Sequence, residues 1–262
     1  MAEKEEGMSF WDHLDALRVV LFRVVGIWLV LTILFFIIMP SIFDTVILGP
    51  CHRDFIFYQW IRDFSSSMNI EDDFLAINQN IELQNINLTA PFLIRCSTSF
   101  MLAVIVTVPF LLWEVWKFVQ PALYPHEQKG IKKAMLLGSG MFFIGVSIGY
   151  FVVFPITLRF LANYELSTSI VTMLSLNSYM DNFMMLVICM GLAFELPLVT
   201  WLLSLIGLLK RSMLRKYRRH AIVAIVVLAA IITPTSDPFT LSIVSLPLCL
   251  LYELSIFLVK KD

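Results

Sequence analysis

Three sets of acidic residues are the places where this chain could do chemistry. Glu195 lies in Gly191-Leu192-Ala193-Phe194-Glu195-Leu196-Pro197, deep in an apolar run. An ionised side chain at the centre of a membrane helix costs roughly 2.5–3.5 kcal/mol, so such a residue faces a cavity or a polar partner. Pro197 removes a backbone donor and bends the helix at that point. Glu127 ends the stretch Phe118-Val119-Gln120-Pro121-Ala122-Leu123-Tyr124-Pro125-His126-Glu127, whose two prolines make a stiff turn on a lysine-rich surface. Asp12 and Asp15 stand three apart near the start of the chain and share a helical face. Each set has two readings. One is a groove or docking surface for a partner; the other is a hydrogen-bonded interior acid, a solvated surface acid and the polar face of an amphipathic anchor. Asp237, between Pro234 and Pro238, reads as a turn residue that caps the last helix.

Other chemistries lack their residues. There is no Gly-rich phosphate loop with its lysine, which removes the case for nucleotide hydrolysis. No Gly-x-Ser-x-Gly and no His-Glu-x-x-His occurs, so intramembrane proteolysis has no visible machinery and an enzyme reading has no nucleophile–base pair. His13, His52, His126 and His220 all lie outside the apolar runs, and Cys51, Cys96, Cys189 and Cys249 show no metal or disulfide spacing. No cofactor and no metal is expected.

The elements that hold these acids follow from composition. The 262 residues are 59% hydrophobic and only 15% charged, with a mean hydropathy of +0.83. Soluble domains run about 45–50% apolar with about 25% charged residues. The chain is therefore an integral membrane protein. Spanning segments must satisfy their own backbone, so long apolar runs read as helices. Six are predicted, at about 19–39, 92–119, 134–154, 179–209, 221–233 and 241–259. The expected fold is an all-α bundle forming one polytopic domain over 1–262. Residues 1–18 form a cytoplasmic amphipathic segment, with Phe10, Leu14, Leu17 and Leu21 laid along the membrane surface. The fifth span is too short for about 30 Å of hydrocarbon, and Pro247 interrupts the sixth.

Basic residues give the orientation. Fifteen of the 19 Lys and Arg residues fall on the side of the two termini, the second-to-third connection and the fourth-to-fifth connection; only Arg53, Arg62, Arg95 and Arg159 fall on the other. Both termini are expected in the cytoplasm. On the far side, residues 41–91 make an acidic cap loop whose stretch Ile81–Leu88 alternates like a short extended segment. Residues 156–178 are expected to lie along the interface.

At these motifs the chain resembles TatC, the multispanning subunit of the twin-arginine protein translocase. The matching pieces are His13-Leu14 with Leu17-Arg18, then Phe118…Pro121-Ala122-Leu123-Tyr124…Glu127, Phe154-Pro155 and Phe194-Glu195-Leu196-Pro197. Thr233-Pro234…Asp237 and Leu251-Tyr252-Glu253 complete the set. The resemblance implies a glove-shaped bundle of six helices in a bacterial cytoplasmic (inner) membrane. It implies a receptor for signal peptides with two consecutive arginines, working with single-span TatA and TatB partners as a homo-oligomer. Folded proteins are moved by the proton-motive force, with no nucleic-acid partner. By the same resemblance Glu127, Asp15, Arg18, Phe118, Pro121 and Leu123 bind the signal peptide. Glu195 and Pro197 line a groove for the peptide or a partner helix, and Pro234 and Asp237 form a structural turn. Rigid carboxylates suit paired arginines, because bidentate bonding separates guanidinium from ammonium. The chain departs from the family in carrying Ala16 where relatives have Glu, with Asp15 one position earlier, and Val20 in place of a basic residue. A small-solute secondary transporter is the rival reading; it calls for an inverted repeat and polar midplane residues, and no repeat is visible.

Overall fold

The computed structural model describes residues 10–68, 80–119, 131–164, 173–205, 207–233 and 237–259. Helix α1 (Phe10–Ile42) leads through a π-helical turn at Phe43–Ile47 to helix α2 (Ile56–Met68). Strand β1 (Leu83–Gln84) precedes α3 (Ala90–Val119) and α4 (Ile131–Ile148). A second π-helical turn, Gly149–Val153, joins α4 to α5 (Phe154–Asn163). Strand β2 (Leu174–Ser175), α6 (Leu176–Ala193) and α7 (Leu196–Leu205) follow. The chain ends in α8 (Arg211–Lys216), α9 (Arg218–Ile232) and α10 (Pro238–Leu258).

Among the described residues, five helical runs are long and apolar enough to cross a membrane. The predicted fifth span is α9, whose 15 residues extend about 22 Å at 1.5 Å per residue. Residues 10–18 of the predicted amphipathic segment open α1 without a break. Every predicted span has its helix, but three details differ. Pro247 does not interrupt α10, which continues through it for 21 residues, about 31 Å and full spanning length. Of the stretch 156–178 expected along the interface, residues 156–163 belong to α5, which follows α4 through the π-helical turn and buries Thr157, Leu158 and Arg159 in the core; residues 165–172 lie outside the described residues. The fourth span is two helices rather than one.

Packing explains the arrangement. Helix α1 lies on α3, with Trp28 edge-on to Phe100 at 4.2 Å and Phe36 edge-on to Phe92 at 6.3 Å. Helices α4 and α6 meet through glycines: a Cβ on Gly145 would lie 2.6 Å from the Met190 carbonyl oxygen, and one on Gly191 would lie 2.7 Å from Val146 Cγ2. Without that hydrogen-for-methyl economy the backbones could not approach, which is how small residues drive helix association in lipid. The core around them holds Phe142, Phe154, Phe183, Leu186 and Met190.

Residues 43–58 fold back over the end of this core. Tyrosine hydroxyls from the bundle and the cap satisfy carbonyls that the irregular backbone leaves open: Tyr150 donates to Val46 at 2.6 Å, Tyr179 to Ile47, and Tyr58 to Pro50 at 2.9 Å, sharing its proton with the Pro155 carbonyl of α5 at 3.3 Å. Strands β1 and β2 pair in parallel, Leu83 opposite Leu174; β1 falls within the stretch predicted to alternate.

Candidate functional site

Glu195 sits at the break between α6 and α7. The backbone tightens there: the Phe194 N–H bonds Met190 and the Glu195 N–H reaches back only three residues, to Leu192, at 3.1 Å. Pro197 occupies the first turn of α7, where its missing N–H would have had no partner, so the break precedes the proline rather than falling on it. The Glu195 side chain is buried, and neither carboxyl oxygen has a hydrogen-bond partner among the described residues. Room for it comes from Gly138 on α4, where a Cβ would come within 3.4 Å of Glu195 Oε2. Burying a polar group without a partner costs roughly 2–7 kcal/mol depending on the reference state.

The other predicted residues divide. Asp15 and Arg18 are exposed on the first turns of α1, with the Arg18 guanidinium 5.6 Å from the Phe22 ring centroid. Pro121, Leu123 and Glu127 lie outside the described residues, as does Pro234; Phe118 is in the last turn of α3, and its side chain is not among those described. Asp237 Oδ1 accepts the Thr240 N–H at 2.8 Å and so caps α10.

Sequence reasoning passed over Glu114. It is buried on α3, with Arg23 of α1 at 3.8 Å and Lys117 at 3.4 Å. The spacing Glu114-x-x-Lys117 is a visible signal for the second pair, but Arg23 is brought in only by the packing of α1 on α3. The motif at the end of α10 is also structural: the Tyr252 hydroxyl donates to the Leu214 carbonyl at 2.7 Å, and Glu253 pairs with Arg218 at 2.6 Å. These contacts tie α10 to α8 and α9.

Fold and site together define a multi-pass α-helical membrane protein whose interior acid stands at a helix break. The model of the TatC family, the Sec-independent protein translocase protein, matches residues 12–247. A TatC of Blattabacterium sp. subsp. Periplaneta americana is 30% identical over 98% of this chain and 97% of its own length. A crystal structure of the twin-arginine translocase receptor TatC in DDM matches with a TM-score of 0.76 and 28% identity, covering 95% of this chain and 99% of that one. A second crystal structure of that receptor gives 0.69 and 29%, covering 94% and 97%. The chain belongs to the TatC family and is a protein-translocase component.

Proposed function

We propose that this chain is the signal-peptide receptor of a twin-arginine translocase in a bacterial cytoplasmic membrane. It forms one glove-shaped polytopic domain with both termini in the cytoplasm and residues 41–91 as its periplasmic cap. The observation that carries the orientation is charge: 15 of 19 Lys and Arg residues fall on the side that carries Glu127 and Asp15. Acids set within a cationic surface bind a guanidinium pair while the surrounding lysines repel other cationic peptides. An exposed ion pair contributes only about 0.2–1 kcal/mol, so the two arginines supply selectivity. Packing of the apolar part of the signal peptide on the bundle supplies most of the affinity, at about 0.8 kcal/mol per buried CH₂.

In this reading Glu127 is the principal arginine contact, with Asp15 serving in place of the acid missing at Ala16. Arg18, Phe118, Pro121 and Leu123 shape the same surface. Glu195 and Pro197 line the groove that receives the peptide or a TatA- or TatB-type single-span helix, and receptor units associate with one another. The proton-motive force drives movement of the folded passenger. The test is photo-crosslinking of a twin-arginine precursor to the protein in membranes. Glu127→Ala, or exchange of both leader arginines for lysine, should abolish the crosslink while the protein remains inserted. An undiminished crosslink in either case overturns the assignment.

A further inference from the structure

Helix α2 leaves an apolar stripe uncovered. Ile56, Trp60 and Phe64 recur at one-turn intervals and are 51%, 67% and 61% exposed, while Tyr58 and Ser65 on the adjoining face are buried. Beside the stripe runs an apolar recess of ≈ 350 Å³ walled by Phe57, Trp60, Ile148, Phe151 and Val152. Its one hydroxyl, on Ser147, is spent on the Phe143 carbonyl at 2.7 Å. Ile56 and Phe151 also line a second, adjoining recess of ≈ 520 Å³ whose lining is polar at Thr45, His52 and Asp54. The two form one groove, apolar along α4 and polar toward the cap.

We propose that this groove binds a zwitterionic diacyl phospholipid, with one acyl chain in the apolar recess and the headgroup at its mouth. Three observations select that occupant. The apolar recess lies against Ser147–Val152, inside a run apolar enough to cross a membrane, so hydrocarbon faces it. At the mouth, Asp54 stands 3.8 Å from both Arg53 and Arg62. A carboxylate between two guanidiniums offers a partner to an ammonium and to a phosphate alike, which matches a head carrying both groups. Trp60 beside the groove has the amphipathic ring that settles at a bilayer surface. The leaflet is the outer one by the orientation proposed above; the groove itself does not depend on signal-peptide binding.

The full chain, purified and exchanged into nanodiscs of phosphatidylethanolamine and phosphatidylglycerol, is examined by native mass spectrometry. One phosphatidylethanolamine per chain should survive release. Val152→Trp, which fills the recess, should lower that retention by about tenfold or more and leave leader crosslinking unchanged. Should Val152→Trp fail to insert, Trp60 fluorescence serves: lipids brominated on the acyl chain should quench the signal that distinguishes the native chain from Trp60→Phe. Retention unchanged by filling, phosphatidylglycerol held in preference, a polypeptide found in the groove, or an unquenched Trp60 overturns the proposal.

Discussion

Arg95 on α3 donates two hydrogen bonds, at 3.0 and 2.7 Å, to the carbonyl of Phe36 on α1. That carbonyl lies four residues before Pro40, which has no N–H to give it. The guanidinium replaces the missing intrahelical donor and also packs 4.3 Å from the Phe36 ring centroid. A defect written into one helix is mended by the next, so the two are fixed in register at the end of the bundle that faces the cap.

Replacing Arg95 with Met should cost about 1 kcal/mol, the lower end of the cost of leaving an acceptor unsatisfied, because the Phe36 carbonyl is half-buried. Pro40→Ala restores the N–H and should remove most of that penalty in the double variant. Thermal unfolding in detergent reads both; an equal loss in the single and double variants would refute the pairing.

Glu114 should respond asymmetrically. Glu114→Gln leaves Arg23 and Lys117, whose side chains are 60% and 53% exposed, free to extend toward the membrane surface and should change stability by under about 1 kcal/mol. Changing both cations to Met strands a buried carboxylate and should cost about 3–5 kcal/mol. The same unfolding assay compares them, and an inverted order would mean that Glu114 is not buried in the membrane.

Glycine substitutions should sort by neighbour. Gly145→Ala must displace the Met190 backbone carbonyl and should destabilise by about 1–3 kcal/mol. A Cβ at Gly140 meets nothing within 4 Å, so Gly140→Ala should stabilise by up to about 1 kcal/mol. Inserted protein yield and melting temperature distinguish the two.

Glu195→Ala should leave leader crosslinking intact while impairing export or assembly with single-span partners, because the acid is buried inside the bundle. Export at the native rate would exclude the groove role.

Asp237→Ala removes the cap on α10 and should cost about 1 kcal/mol. Asp237→Asn should recover most of it, since an amide oxygen also accepts the Thr240 N–H. A circular-dichroism melt tests the pair.

The amino-acid order by itself determined the membrane class, the spans and the charge asymmetry. These depend on local composition: each apolar run must close its own hydrogen bonds, whatever its neighbours do. It also marked Glu195 and the Asp237 turn, because an acid in an apolar run and a capping residue before a helix are local anomalies. Tertiary structure decided the rest. Helix α2 was hidden in an acidic loop because its exposed face carries Ile56, Trp60 and Phe64 while Tyr58 and Ser65 are buried, a pattern set by which face packs on the cap and the bundle. Pro247 and Pro40 look alike as helix breakers, yet α10 runs through the one, and Arg95 repairs the backbone before the other. The Glu114–Arg23 pair joins residues 91 apart in the chain. No periodicity reports such a contact, because it exists only where two helix surfaces meet.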